Sequence, residues 1–222
     1  NATGEKSTAG ITYTAGAPSA NHSKITADPI SILADGTEVS TLTVQLYDAN
    51  NNLITSGTDP ESGTAYDITI IHAIDSNNLG ILNSEGIKNN DDGTFTTTVT
   101  SKKAGSDTFG FRVGETTAEG NDSTAVVTYT AGTADASASK IVTNPKEIAA
   151  DGTATSTITV TLYDKNNNPL TSGSDLEGTP YNVEIFSAST STGDALGVLS
   201  EAGVVNNDDG TFTITVTSEK TG

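Results

Sequence analysis

An internal repeat constrains the fold of this chain more than any other feature of its sequence. NNDDGTFTTTVTS at residues 89–101 returns as NNDDGTFTITVTS at residues 206–218. ADGTEVSTLTVQLYDANNNLITSG at residues 34–57 returns as ADGTATSTITVTLYDKNNNPLTSG at residues 150–173. Tyr163 lies 116 positions after Tyr47. A spacing that is constant apart from one-residue slips indicates two copies of one domain, with insertions and deletions confined to loops.

Within each copy, apolar and polar residues alternate over short segments that are separated by Asn-, Asp- and Gly-rich turns. Alternation of this kind is typical of β-strands, and no long segment has the spacing of an amphipathic helix. About seven short strands in ~115 residues describe an immunoglobulin-like sandwich. The sequence therefore predicts an all-β fold of tandem immunoglobulin-like β-sandwich domains. The residues expected to share a face within one strand are Leu42, Val44 and Leu46; Ile68, Ile70 and His72; Phe95, Thr97 and Val99; Phe109, Phe111 and Val113; and Val127 and Tyr129.

The two ends of the chain are out of phase with the repeat. ATGEKSTAGITYTAG at residues 2–16 matches AEGNDSTAVVTYTAG at residues 118–132, which closes the first copy. We therefore expect residues 1–16 to be the final strand of a preceding repeat, 17–132 a complete repeat, and 133–222 a second repeat without its last two strands. On this interpretation the chain is a segment of a longer array. An alternative is that residues 1–16 pair with the open second repeat of another chain.

Charge and composition exclude several classes of function. The net charge is −18, from 28 acidic and 10 basic residues, so the surface repels nucleic-acid backbones and anionic lipid. There is no cysteine, which excludes disulfides and thiolate metal sites. No apolar run approaches the ~20 residues that span a bilayer, so we expect no direct membrane insertion.

The order and spacing of short motifs resemble those of the group 1 bacterial immunoglobulin-like domains, the Big-1 repeats of the invasin and intimin adhesin family. The matching pieces are Lys24-Ile25, Lys140-Ile141, Ala34-Asp35-Gly36, Ala150-Asp151-Gly152, Asn168-Pro169, Gly93-Thr94-Phe95 and Lys103-Ala104-Gly105. The resemblance covers nearly the whole chain. Two departures stand out, since Asn replaces Gly in the NNN turn, and the inserts TSGTDPESGTAY and TSGSDLEGTPY are longer than the usual loop.

In that family such repeats form stiff extracellular stalks that hold an adhesive tip away from the cell. The resemblance thus implies a structural spacer at the bacterial cell surface and no catalytic activity. It implies neighbouring immunoglobulin-like repeats of the same longer chain as partners. It also implies a host or cell-surface receptor that is contacted through other domains.

Oxygen-rich turns make calcium the one cofactor that the sequence suggests. Asp48, Asn50 and Asn52, and again Asp164, Asn166 and Asn168, have the D-x-N-x-N spacing of alternating oxygen donors. The sixth-position Gly and the distal Glu of an EF-hand loop are missing, and an Asx-rich hairpin turn explains the same pattern. Asp135, between the repeats, is a further candidate if acidic loops such as 59–61 or 91–92 approach it.

Two other interpretations stay open at this stage. In a binding module, the loop inserts at 56–66 and 172–181 would contact a receptor or glycan, and exposure of Tyr66 or Tyr181 would favour this idea. The chain is also compatible with an accessory segment of a secreted enzyme or with a structural protein of a phage or surface layer, and flanking sequence would discriminate these. An enzyme in its own right has the least support, because there is no G-x-S-x-G or H-E-x-x-H motif. His22 and His72 are the only histidines, and His72 is expected to be structural.

Overall fold

A computed structural model describes residues 10–186 and 196–221, and all regular structure in these residues is β. None of the described residues forms a helix of the length and apolar character that crossing a membrane requires. The described strands, in chain order, are β1 (Lys24–Asp28), β2 (Ser31–Leu33), β3 (Ser40–Gln45), β4 (Ile68–His72), β5 (Ile81–Leu82), β6 (Lys88–Asn89), β7 (Thr94–Thr100), β8 (Gly105–Val113), β9 (Thr116–Thr117), β10 (Thr124–Thr130), β11 (Lys140–Asn144), β12 (Ser156–Thr161), β13 (Val198–Leu199), β14 (Val205–Asn206) and β15 (Thr211–Thr217).

The first repeat is a sandwich of two sheets. One sheet has the order β1-β3-β7-β5, with β6 also pairing with β7, and the other has the order β2-β10-β8-β4, with β9 pairing with β8. All pairs in these sheets are antiparallel except β2 with β10, in which Ile32 lies opposite Tyr129. The prediction of an all-β, immunoglobulin-like fold is confirmed.

Side-chain burial in the first repeat follows the predicted alternation. Leu42, Val44 and Leu46 on β3 and just after it are fully buried, and every second residue of β7 and β10 points into the same core. His72 ends β4 half-buried, with its ring centroid 4.8 Å from that of Phe109. The apolar faces of the two sheets therefore meet in one continuous core, in which burial of apolar surface supplies the main stabilisation.

In the second repeat, the described residues form one five-stranded sheet, with the order β11-β12-β15-β13 and with β14 pairing with β15. Residues 181–186, which correspond to the region of β4, are in no regular strand. The described residues include no counterparts of β8 and β10, so this region has no strand to pair with. The predicted boundaries at 1–16, 17–132 and 133–222 stay predictions. Residues 1–9 lie outside the described part, and residues 10–16 form no strand.

The NNN turns obtain their shape from asparagine in the left-handed region of backbone conformation. Asn51 has φ of 62° and Asn167 has φ of 61°. Asparagine adopts this conformation more readily than other non-glycine residues do. Asn51 and Asn167 can therefore replace the Gly that the similar repeats of the invasin and intimin family carry at this position.

The near-identity of residues 89–101 and 206–218 has a structural reason. The side chain of Asn89 donates from Nδ2 to the Gly57 carbonyl (2.9 Å) and accepts at Oδ1 from the Asp91 amide (2.9 Å). Asn206 makes the same two hydrogen bonds, to Gly173 (3.0 Å) and from Asp208 (2.9 Å). In each repeat this asparagine ties the start of the loop insert to the β-hairpin.

A matched pair of isoleucines tests the sandwich. Ile25 on β1 is 4% exposed, whereas its counterpart Ile141 on β11 is 62% exposed. We expect Ile25→Ala to lower the free energy of unfolding by about 2–5 kcal/mol, because it leaves a cavity. Ile141→Ala should cost about 1 kcal/mol or less, since only strand propensity changes. Urea denaturation of both variants measures the difference, and equal losses would contradict the described packing.

Candidate functional site

The junction between the two repeats is built around the carboxylate of Asp164. This residue follows β12 and begins the turn 164–168, which we call the docking turn. Its Oδ1 accepts hydrogen bonds from the backbone amides of Asn166 (2.8 Å) and Asn168 (2.9 Å). Its Oδ2 accepts from Asn168 Nδ2 (2.9 Å) and from the backbone amide of Gly132 (3.0 Å). A carboxylate has about four acceptor positions, so all are filled. The same group thus folds the docking turn and holds the linker.

The docking turn also bonds directly to the first repeat. Asn168 Oδ1 accepts from the backbone amide of Ala104 (2.9 Å), and its Nδ2 donates to the Lys102 carbonyl (3.0 Å). Asn166 Nδ2 donates to the Ala34 carbonyl (2.9 Å). Asn168 is 3% exposed. Buried polar groups are costly unless they are hydrogen-bonded, so these contacts favour one orientation of the repeats.

The first repeat presents these backbone groups on a preformed surface, which we call the receiving loop (residues 34–36 and 101–104). The buried Ser101 Oγ accepts from the Lys103 amide (2.9 Å), and its one proton is shared between the Leu79 and Lys103 carbonyls, both at 2.9 Å. The Gly36 amide donates to the Ser101 carbonyl (2.9 Å). The two segments of the receiving loop are therefore fixed together by the first repeat alone.

The linker between the repeats is bonded along its length to the second repeat. The Asp135 amide donates to the Tyr163 carbonyl (2.7 Å), and Ser139 Oγ accepts from the Tyr163 amide (3.1 Å). The Ala134 amide donates to the Tyr181 hydroxyl (3.2 Å). A short Ala- and Ser-rich linker bends freely unless it is held, and these contacts hold it.

The first repeat contains the same turn in residues 48–52. Asp48 Oδ1 accepts from the amides of Asn50 and Asn52, both at 2.9 Å. Asp48 Oδ2 accepts from Asn52 Nδ2 (2.9 Å) and from the amide of Gly16 (2.8 Å). The hydrogen bonds from the Asn52 side chain and the Gly16 amide hold the pKa of Asp48 well below its usual range. In contrast to Asn168, Asn52 is exposed.

The calcium candidates lie in three places. Asp48, Asn50 and Asn52 form one turn, Asp164, Asn166 and Asn168 form the other, and Asp135 lies in the linker, where Ser137 donates to its Oδ1. Asp135 and Asp164 line a cleft of about 470 Å³ together with Asp35, and residues 59–61 and 91–92 do not line it. Within residues 10–186 and 196–221, no three or more His, Asp or Glu side chains are grouped as a metal site would need.

Sequence reasoning identified the two D-x-N-x-N turns but missed the groups that the docking turn contacts. These are the Ala34 and Lys102 carbonyls and the Ala104 amide, which are backbone groups and have no side-chain signature. The only available signal was that the docking turn and the receiving loop both recur in the two repeats.

The remaining candidates occupy structural positions. His22 Nδ1 is 2.9 Å from Ser19 Oγ, and His72 Nδ1 is 3.8 Å from a buried Asp107 oxygen. Tyr66 and Tyr181 are half-buried and pack against the cores of their repeats. The exposed tyrosine that would have favoured the binding-module interpretation is therefore not found at either position.

Comparison with known proteins shows the family of this chain. The family model described as invasin, domain 3, matches residues 19–132 and, separately, residues 135–222. These two matches cover nearly the whole chain, so the chain belongs to this family. The resemblance to the invasin and intimin repeats is confirmed, and the chain consists of adhesin-type immunoglobulin-like domains.

Solved structures agree with this assignment. The crystal structure of invasin, a bacterial integrin-binding protein, matches with a TM-score of 0.54 and 26% identity over 92% of this chain and 36% of that chain. The Escherichia coli adhesin FdeC matches with a TM-score of 0.54 and 21% identity over 94% of this chain and 59% of that chain. InvD of Yersinia pseudotuberculosis matches with a TM-score of 0.51 and 22% identity over 92% of this chain and 51% of that chain. The chain therefore spans 36% to 59% of the length of these structures. The matches to FdeC and InvD show the fold alone.

The titration of Asp164 gives a prediction for the stability of the junction. Burial raises the pKa of Asp164, but the hydrogen bonds from Asn168 and Gly132 outweigh this effect and hold the pKa below its usual range. The carboxylate therefore contributes its full stabilisation above the unfolded pKa, and this is lost as the pH falls through the lower folded pKa. We expect Asp164→Asn to destabilise the second repeat most at neutral pH and progressively less below pH about 4. Urea denaturation across pH tests this, and a difference independent of pH would contradict it.

Calcium binding by the seven candidate residues stays a prediction. Because all four acceptor positions of Asp48 and of Asp164 hold hydrogen bonds, an ion at either turn must displace at least one of them. Isothermal titration calorimetry should then show calcium binding. Asp48→Asn should weaken binding at the turn 48–52, Asp164→Asn at the turn 164–168, and Asp135→Asn at the linker. An absence of heat at about 1 mM calcium, within the range of extracellular calcium modules, would contradict the prediction.

Proposed function

We propose that this chain is a spacer segment of a repetitive bacterial surface adhesin, in which it holds a distal binding tip away from the cell. The observation that carries the proposal is the clamped junction. Three hydrogen bonds join Asn166 and Asn168 to the first repeat, and Asp164 holds the linker. Domains joined by a short linker move relative to each other by default unless their interface prevents it. A stalk needs this interface, whereas a flexible tether does not.

The surface of the chain supports the same role. Its net charge of −18 and its aromatic content of 5% favour a well-solvated surface over one that binds other proteins. Protein-binding hot spots are rich in Trp, Tyr and Arg, and this chain has no Trp. Membership of an adhesin-domain family supports a position outside the bacterial cell. On this proposal, neighbouring repeats are its direct partners, a receptor is contacted through other domains, and the segment catalyses no reaction.

Assembly between chains is a second candidate, favoured by one observation. The described sheet of the second repeat leaves Ile141 of β11 exposed on the face that corresponds to the core side of β1, where its counterpart Ile25 is buried. A strand donated by another chain would cover that face, as the strand-exchange interpretation of residues 1–16 requires. Sedimentation velocity separates the two candidates, because a spacer is an elongated monomer and strand exchange gives dimers or polymers.

Removing the contacts of the docking turn tests the spacer proposal. We expect Asn166→Ala with Asn168→Ala to release the junction, since the Ala104 amide and two carbonyls lose their partners. Small-angle scattering should then change from the profile of one rigid elongated particle to that of an ensemble with a broad range of maximal dimensions.

The first repeat provides the matched control for this experiment. Asn50→Ala with Asn52→Ala removes the same side chains from the turn 48–52, which makes no contact between the two repeats. This variant should keep the scattering profile of the wild type. If the two double variants change the profile equally, or if neither does, the docking turn does not set the angle between the repeats.

A further inference from the structure

The first repeat carries a second docking turn, and we propose that residues 48–52 bind the receiving loop of another repeat of this same type. The bound partner would supply two backbone carbonyls and one backbone amide, as the first repeat supplies them to residues 164–168. This inference rests on the proposed spacer function, and it identifies the surface through which the array continues beyond the two repeats.

The turn 48–52 is preformed for docking. The four hydrogen bonds to Asp48 match those to Asp164 atom for atom, including the bond from a linker glycine, Gly16 in place of Gly132. Asn51 and Asn167 also share the same left-handed conformation, with φ of 62° and 61°. The two turns therefore present their asparagine side chains from equivalent backbones.

The side-chain atoms of this turn that would contact a partner differ in exposure from their counterparts in the docking turn. Asn52 is exposed, while its counterpart Asn168 is 3% exposed. Among the described residues, the side-chain amide of Asn50 and the Oδ1 of Asn52 make no hydrogen bond, although both counterparts bond across the junction. The hydrogen bonds that Asn50 and Asn52 do make, through their backbone amides, the Asn52 carbonyl and Asn52 Nδ2, serve the turn itself. The turn lacks only the surface that residues 164–168 already contact.

The second repeat shows that the required receiving loop is a recurring feature. Ser218 Oγ accepts from the Lys220 amide (3.1 Å), and its one proton is shared between the Leu196 (2.7 Å) and Lys220 (2.8 Å) carbonyls. The Gly152 amide donates to the Ser218 carbonyl (2.9 Å). These bonds repeat those of Ser101 and Gly36.

The loop so formed presents the Ala150 and Glu219 carbonyls and the Thr221 amide. These correspond to the Ala34 and Lys102 carbonyls and the Ala104 amide. Because only backbone groups are contacted, the replacement of Lys102 by Glu219 leaves the recognition chemistry intact.

The segment that leads into the turn indicates where the partner lies. Ile11 and Tyr13 are 74% and 88% exposed, whereas their counterparts Val127 and Tyr129 are at most 1% exposed on β10. Those counterparts are buried because β10 lies in the sandwich of the first repeat. A repeat that covered residues 10–16 in the same way would bring its receiving loop to Asn50 and Asn52, because Gly16 is held by Asp48.

Charge does not drive this contact in the first repeat. Lys165 lies near Asp35 across the existing junction and contributes to lowering the pKa of that carboxyl, after the hydrogen bonds from Thr37 and Glu38. Ala49 occupies the position of Lys165 in the first turn. The proposed junction therefore depends on the asparagine hydrogen bonds, and its stability should vary little with salt.

A three-repeat chain tests the proposal. Residues 1–132 followed by residues 17–222 place a complete added repeat before the turn 48–52 of the middle repeat, and the native second repeat follows unchanged. The chain contains no cysteine, so spin labels attach only at introduced cysteines. Glu85→Cys in the added and middle repeats spans the new junction, and Glu85→Cys in the middle repeat with Ala202→Cys in the last repeat spans the existing junction. Glu85 and Ala202 are equivalent exposed positions of the two repeats. Pulsed electron resonance then measures one distance distribution across the new junction and one across the existing junction.

We expect both distributions to be narrow. Asn50→Ala with Asn52→Ala in the middle repeat should broaden the new distribution and leave the existing one unchanged. If the distance distribution is broad across the new junction and narrow across the existing one, this inference is overturned and the spacer proposal stands. A distance distribution across the new junction that stays narrow in the double variant also overturns this inference. If both junctions are broad in the wild-type chain, the spacer proposal itself fails.

Discussion

The carboxylate of Asp164 is the interaction on which the rest of this structure depends. Its four hydrogen bonds fold the docking turn, aim Asn166 and Asn168 at the first repeat, and fasten the linker at Gly132. Each of these consequences fails if the carboxylate is lost, since an amide at this position cannot accept four hydrogen bonds with the same strength. One buried group therefore serves both the turn and the linker, which favours a single orientation of the two repeats.

A repetitive adhesin gains length by copying a unit, and a copied unit must carry both halves of its junction. Each repeat here has an Asp- and Asn-containing turn at one end and a receiving loop at the other, and the contact made by residues 164–168 is head-to-tail. Nearly all the contacts at the receiving loop go to backbone atoms. The surface therefore tolerates changes of side chain between repeats, such as Lys102 and Glu219, while the turn keeps its Asp and Asn residues.

Much of the fold was predictable from the sequence, because alternation marks strand faces that a sandwich must bury. The faces of β3, β7 and β10 lie as expected, and the repeat offset placed equivalent residues in equivalent positions. The exposure of Ile141 was not predictable from alternation alone, since it depends on a second sheet that the described residues of that repeat do not contain. The D-x-N-x-N turns were recognised as oxygen-rich, but the pattern could not separate a calcium loop from a docking turn. That difference depends on Gly132 and Ala104, which are far away in sequence.

Amide hydrogen exchange at Ala104 measures whether the docking turn holds the junction, because this backbone amide donates across the junction to Asn168. We expect slow exchange of the Ala104 amide in the wild-type chain. We expect fast exchange in Asn168→Ala, with the amides of β7 and β10 unchanged in both. Fast exchange of Ala104 in the wild-type chain, or slow exchange that persists in Asn168→Ala, would contradict a junction held by the docking turn.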